Sequence, residues 1–339
     1  MKFKFDATGI GSVPFKDPKE ACRLIFDNFE TIPFWPQLQR RSFLENMYAQ
    51  FSERLPGIVI DEANKSIHLD TTGVAETIEE VYQNYLDGNV EFFKISERFA
   101  AGFYEFLSVL EKVPETVKYV KGHIVGPISY ALSVTDENKK AIIYDRDLFE
   151  LLTKTLAMKA RWQIRKLKKL FPSVIIFIDE PYLVSIGSSF VNINREEAFG
   201  RFDEVVAAIK SEGALAGVHC CGNTDWPLLL NRGLDILNFD AYNFAKEFSL
   251  YSSEIGKFLD HPTSTIAWGI VPSSEEIEKT PTKALAKRLE SAIQMLSDKG
   301  VSKEISSIVT PSCGVGLLEE SQAKKILETT KELSAILKK

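Results

Sequence analysis

The chain is poor in the residues that staple, ligate or anchor a protein. Its 339 residues include only four cysteines and four histidines. Cys22, Cys220, Cys221 and Cys313 contain an adjacent pair and do not look like a disulfide framework. No apolar run approaches the roughly 18 residues of a membrane span. The N-terminal MKFKFDATGIGSVPF lacks the unbroken apolar core of a secretion signal. Positive charge is not in excess: the formal net charge is −6 and the pI about 5.5, which speaks against nucleic-acid and anionic-membrane partners. The most basic stretch runs from Lys159 to Lys169 at helical spacing and reads as a solvated helix face. No G-x-G-x-x-G follows the first apolar run, which argues against a doubly wound dinucleotide fold. Linkers, repeats and low-complexity tracts are absent, so one domain over 1–339 is expected, in the cytoplasm with reduced thiols.

What is present is alternation. Apolar, β-rich runs fall at 7–13, 31–38, 117–125, 173–179, 214–221, 234–240, 264–270 and 306–312. Helical patterns at 17–29, 73–87, 91–111, 145–170, 195–211, 275–297 and 317–337 separate most of them. This order predicts an α/β chain folded as a single (β/α)8 TIM barrel. The segment 57–71 breaks the alternation and reads as an inserted β-hairpin with its turn at 62–66.

In GVHCCGN (217–223), three of the scarce residues are adjacent. Strand alternation puts His219 and Cys221 on one face and Cys220 on the other. Imidazole and thiolate are both zinc ligands, whereas a core histidine beside two buried cysteines is the plain alternative. A barrel brings the C-terminal ends of its strands to one mouth. His219, Cys221, Asp240 of LDILNFD and Cys313 of TPSCG would meet there, and that convergence favours zinc. Cys22 and Cys220 read as core packing. The same mouth would receive the small residues of GIGS, which let a ligand approach backbone N–H groups, and Asp179 and Glu180 of IDEP, which could instead cap a helix. His123 reads as a core histidine.

Taken in order, TGIGSVP, GHIVGP, IIFIDEP, HCCGNTDW, LNFDAYN, VPS and TPSCG resemble the C-terminal catalytic barrel of the cobalamin-independent methionine synthases, within the uroporphyrinogen decarboxylase-like superfamily. The resemblance implies zinc held by His219, Cys221, an acidic residue at the place of Asp240, and Cys313. The family has glutamate at that third place. It also implies homocysteine held by Ile10, Gly11, Ser12 and Asp179, with Glu45 as a candidate for a further contact to the amine. Departures concern the methyl donor. Ser133 stands where the family has a folate-stacking tryptophan, Ser185 where it has a pterin-binding glutamate, and TIAWGIVPSSE lacks the proton-donating histidine. That pattern resembles the short, single-barrel members whose donor is a methylcorrinoid, either methylcobalamin or a methylated corrinoid protein. Rival readings are methyl transfer to another thiol such as coenzyme M, a zinc hydrolase, and a metal- or corrinoid-binding protein without catalysis.

Overall fold

The computed structural model describes residues 3–186 and 191–339. Its strands are β1 (Lys4–Ala7), β2 (Ile58–Asp61), β3 (Ser66–Leu69), β4 (Val120–Val125), β5 (Val174–Asp179), β6 (Leu215–Cys220), β7 (Ile236–Phe239), β8 (Thr265–Val271) and β9 (Ser307–Pro311). Seven of them form one sheet in the order β1-β9-β8-β7-β6-β5-β4, every neighbouring pair parallel. Strands adjacent in sequence lie side by side, and β1 returns to pair with β9. The sheet is therefore curled and TIM-barrel-like. β2 and β3 pair antiparallel on their own. A parallel strand covered by helices outside and by side chains inside is buried on both faces. This is why β5 can read VIIFID without a break, with every residue buried.

The helices are α1 (Pro18–Asn28), α2 (Ala75–Leu86), α3 (Ala101–Leu110), α4 (Pro127–Ser133), α5 (Arg146–Lys168), α6 (Arg195–Ser211), α7 (Pro227–Leu230), α8 (Ala241–Phe248), α9 (Ser252–Leu259), α10 (Thr282–Ser297) and α11 (Glu320–Leu337). Two predicted helices are shorter than their pattern. Over 91–111 only a 3₁₀ turn at Val90–Phe93 and α3 form, because Ser96 N donates to Glu53 Oε2 at 2.7 Å instead of continuing a helix. Over 275–297, Pro281 delays the α-helix to Thr282. In the basic stretch, Arg161 and Arg165 pair with Glu212, and Lys166 with Glu91, as a helix surface would. Lys159 departs from that reading, since it is fully buried.

The strand predicted at 31–38 forms no ladder. Pro33 and Pro36 have no N–H to give. The segment still reaches both edges of the sheet. On the β4 side, Trp35 N donates to Lys121 O at 3.1 Å and Lys121 N to Pro33 O at 2.9 Å. Beyond β1, Gln37 N donates to Gly11 O at 3.0 Å and Val13 N to Gln37 O at 3.1 Å. Residues 33–37 thus bridge the seam. The first strand starts earlier than the predicted 7–13, at Lys4, and 8–13 run on toward the mouth.

Side chains inside the curl sort by height. Phe3, Ile32, Ile175, Phe177, Ile236, Ala267 and Ile308 make an apolar plug separate from the main core cluster. Two residues further along their strands come Asp179 after Phe177 and Asn238 after Ile236, on the same inward face. The interior therefore changes from apolar to polar toward the C-terminal ends of the strands.

Candidate metal centre and substrate cavity

His219 on β6 is in register with Asp179 on β5 and Asn238 on β7. Asn238 Nδ2 donates to Ala267 O at 2.8 Å and Thr310 Oγ1 at 2.9 Å. Its amide orientation is thereby fixed, and Oδ1 faces His219 Nδ1 at 2.5 Å. An acceptor at Nδ1 keeps the proton there and leaves a lone pair on Nε2. Nε2 is buried and has no hydrogen-bond partner among the described residues. One donor atom each from His219, Cys221 and Cys313 lies within 4.8 Å of the other two. Cys313 is held from behind, its N donating to Ser273 Oγ at 3.0 Å and its carbonyl accepting from the same hydroxyl at 2.8 Å. Cys220 is buried, its thiol turned to Gly222 O, and Cys22 is buried with its thiol near Gly102 O.

The charges follow this geometry. The Cys313 thiol and the His219 ring, both beside the Cys221 sulfur, hold its thiol well below the usual range, at about 4. Cys313, beside that sulfur and buried, is pushed up. Burial alone would lower His219, but Cys221 and Asp179 outweigh it and raise its pKa.

Asp240 stands outside this group of three. Its carboxylate caps α8, Oδ1 accepting from Asn243 N at 2.9 Å and Oδ2 from Asn243 Nδ2 at 2.7 Å. Glu180 is also a capping residue, but for a different helix. It accepts from Ile128 N at 3.0 Å and from Ser129 N at 2.7 Å and Oγ at 2.5 Å, at the N-terminus of α4. Only glycine fits beside it, because a Cβ on Gly126 would come 2.0 Å from the Glu180 carboxyl carbon.

A cavity of about 200 Å³ opens above the three donors, lined by Ile10, Ser12, Gln37, Gln39, Met47, Asp179, Pro181, His219, Cys221, Cys313, Gly314, Gly316 and Leu317. Asp179 Oδ1 is buried and has no hydrogen-bond partner among the described residues. Burial raises its pKa to about 6, opposed by His219 and Lys121. The Ile10–Ser12 turn packs on the loop after Cys313. Gly316 N donates to Ser12 Oγ at 3.3 Å, and a Cβ on Gly314 would sit 2.2 Å from that oxygen. The N–H groups of Ile10, Gly11 and Ser12 donate to nothing among the described residues.

Glu45 does not line this cavity. It is fully buried against Arg41, whose Nη1 is 2.7 Å from Oε1, and burial raises its pKa to about 7. The place in the cavity next to Ser12 belongs to Gln37, its bridge partner across the seam. Gln50 Nε2 donates to Phe99 O at 2.9 Å, so Gln50 Oε1 accepts from Gln37 Nε2 at 2.8 Å. That relay uses the nitrogen of the Gln37 amide and leaves its oxygen free. Sequence reasoning also missed Lys121. It is fully buried, donates to Ile10 O at 2.5 Å and lies 4.3 Å from the Phe177 ring centroid. Burial lowers it to about 7, opposed by Asp179. A polar residue inside an otherwise apolar strand, as in VKGHIV or ILNF, was the available signal for Lys121 and Asn238. His123 is a core residue, stacked on Trp35 at 3.8 Å, and neither ring nitrogen has a hydrogen-bond partner among the described residues. A larger hollow of about 660 Å³, bordered by Ser264 and Ser306, lies at the N-terminal ends of β8 and β9, away from the three donors.

No family model matches the chain, and no curated protein matches it. Among solved structures, the chain is similar to a B12-independent methionine synthase from Shewanella sp. W3-18-1 in complex with selenomethionine. The identity is 14%, the TM-score 0.61, and the match covers 98% of this chain and 97% of that one. A D-psicose 3-epimerase with D-fructose matches at 11% identity and a TM-score of 0.32, over 76% of this chain and 91% of that one, too low to carry an argument. At 14% identity the first likeness speaks for the fold alone, a TIM-barrel-like one over nearly the whole of both chains.

Proposed function

We propose that the chain is a methyltransferase that makes methionine by transferring a methyl group to the thiol of homocysteine. The observation that carries this reading is the convergence of His219, Cys221 and Cys313 beneath a cavity of amino-acid size. Their chemistry fits zinc: one buried imidazole nitrogen with its tautomer set and its lone pair unused, and two sulfurs, all close enough to share an ion with bonds of about 2.0–2.3 Å. Three protein ligands leave a further position for the substrate sulfur, so Asp240 can keep its cap. When bound there, zinc supplies the Lewis acidity that keeps a thiol deprotonated at neutral pH.

The chain's own residues aim the substrate. The free N–H groups at Ile10–Ser12 suit its carboxylate, while Asp179 and the free oxygen of Gln37 suit its ammonium. These contacts hold the sulfur in line with the incoming methyl carbon, and orientation is a large part of such a rate. The selenomethionine in the similar structure is a product-like ligand of that protein and supports an amino-acid acceptor.

For the donor, apart from Asp179 and the three metal-ligating residues, no lining side chain carries an acidic proton. That favours a leaving group that departs without protonation, as the cobalt of a methylcorrinoid does, whether free methylcobalamin or a corrinoid protein. The similar structure is of a B12-independent methionine synthase, so methylfolate is the competing donor. A second acceptor is favoured by Lys121, whose charge offsets Asp179. A thiol without an ammonium group, such as coenzyme M, would gain from that offset.

The test supplies zinc-loaded protein and homocysteine with methylcobalamin or with methylfolate and quantifies methionine. Methionine from methylcobalamin alone, abolished in Cys313→Ser, is the expected result. Product from methylfolate reassigns the donor. Product only with coenzyme M as acceptor reassigns the acceptor, and no product with either thiol removes the reading.

A further inference from the structure

The substrate cavity continues past its mouth. A second hollow of about 620 Å³ adjoins it, and Gln39 and Leu317 line both. Its wall carries Lys16, Arg40, Arg41 and Lys65, with Glu62 as the acid among them. This is a concentration of positive charge on a chain whose formal net charge is −6. Glu62 is already engaged, lying 2.9 Å from Arg98 Nη2. The two arginines are fixed as wall. Arg40 donates to Leu317 O at 2.9 Å and lies 3.7 Å from the Glu319 carboxylate, and Arg41 is tied to buried Glu45, so the unpaired cations of the wall are its lysines. Lys16 and Lys65 are exposed and have no ion pair among the described residues. Lys65 sits in the turn between β2 and β3 at φ +50.

We infer that this wall is a subsite for an anionic substituent of the methyl donor, a carboxylate or phosphate group that stays outside while the methyl group enters the metal cavity. The inference rests on the methyltransferase reading above. A cavity of about 200 Å³ accommodates an amino-acid thiol and the methyl group, but not the body of a large donor. That body must lie outside, and the side shared through Gln39 and Leu317 leads to the cations. Unpaired lysines beside fixed guanidinium groups attract an anion over a distance that salt shortens, because the screening length is about 10 Å at 0.1 M. The hollow would raise the local concentration of an anionic donor and orient it without touching the reacting atoms.

Calorimetric titration of the metal-loaded protein with triglutamate, and separately with glycerol 3-phosphate, tests this directly. One of the two should bind, and which one does identifies the anion as carboxylate or phosphate. The affinity should fall at least tenfold in the double variant Lys16→Glu/Lys65→Glu and fall again at high salt. Binding of neither anion, or equal binding by the variant, overturns the subsite. Cys313→Ser should keep anion binding while losing methyl transfer. In the turnover assay, the double variant should raise the donor KM about tenfold and leave kcat unchanged. An unchanged donor KM overturns the subsite, whereas anion binding without any methyl transfer keeps the anion site and removes the functional reading.

Discussion

His219 depends on a residue that never reaches the cavity. Asn238 fixes its tautomer because both amide hydrogens are already committed to Ala267 O and Thr310 Oγ1. Replacing Asn238 by leucine should leave the ring free to rotate and weaken zinc binding by about 10–100-fold. Competition with a chromophoric chelator measures this, with circular dichroism as the check on folding; unchanged affinity would mean that packing alone orients the ring. A second residue-scale prediction concerns Lys159, fully buried with Phe93 O at 3.5 Å as its hydrogen-bond contact. Burial lowers its pKa from 10.5 to about 7. Between those values the unfolded chain binds the proton and the folded protein does not, so stability rises with pH through that window and the cost is present below it. Lys159→Met should raise stability at pH 7 by at most about 4 kcal/mol, at 1.36 kcal/mol per unit, and flatten the rise above pH 7. Urea midpoints at pH 7 and pH 9 decide it. These cases mark what one residue at a time can reveal. The convergence of His219, Cys221 and Cys313 was legible because those residue types are scarce and strand alternation is strict. Glu45 was not, because a carboxylate in a string says nothing of the arginine four residues earlier that takes it. Gln37 was missed because a neutral amide attracts no notice until a relay through Gln50 shows which end is free.

An element-scale prediction concerns α4, a short helix that starts at Pro127 with no side-chain cap of its own. Its first turn is closed from the neighbouring strand by Glu180, just past the end of β5. Glu180→Ala would leave Ile128 N, Ser129 N and the Ser129 hydroxyl without their buried acceptor. The expected loss is about 2–4 kcal/mol in urea unfolding, with zinc binding retained. A loss below 0.5 kcal/mol would mean that water replaces the carboxylate (roughly the scatter of surface substitutions). At this scale the sequence reads well wherever an element is closed by its own residues. The strands from β4 to β9 coincide with the apolar runs, and α6 with its predicted span 195–211. It reads poorly wherever a distant residue supplies the closure. Glu53 ends the helical pattern over 91–111 from outside it, and the short helices α4, α7, α8 and α9 have too few turns to show a period. Asp240 belongs here as well. Its position at the end of β7 is what a ligand would need, and equally what the cap of α8 needs.

The seam is a property of the whole molecule. Proline chemistry denies residues 33–37 a regular ladder, yet the same residues connect the two edges of the sheet and carry the Ile10–Ser12 turn through Gly11 O. Trp35 is the rivet, fully buried, stacked on His123 at 3.8 Å and donating from Nε1 to Gln163 Oε1 at 3.2 Å. Removing it should loosen closure and substrate binding together. Trp162 is a matched control, since it is equally buried but lies on α5 in the outer layer. Both Trp35→Ala and Trp162→Ala should cost about 3–5 kcal/mol in urea unfolding. Only Trp35→Ala should also raise the acceptor KM several-fold and speed amide exchange at Gln37 and Lys121, whose N–H groups bond across the seam. If the two variants change KM alike, substrate binding follows overall stability and not the seam. If neither changes it, the Ile10–Ser12 turn is held without the seam, by Lys121 Nζ on Ile10 O and by the loop after Cys313, where Val315 N and Gly316 N donate to Ser12.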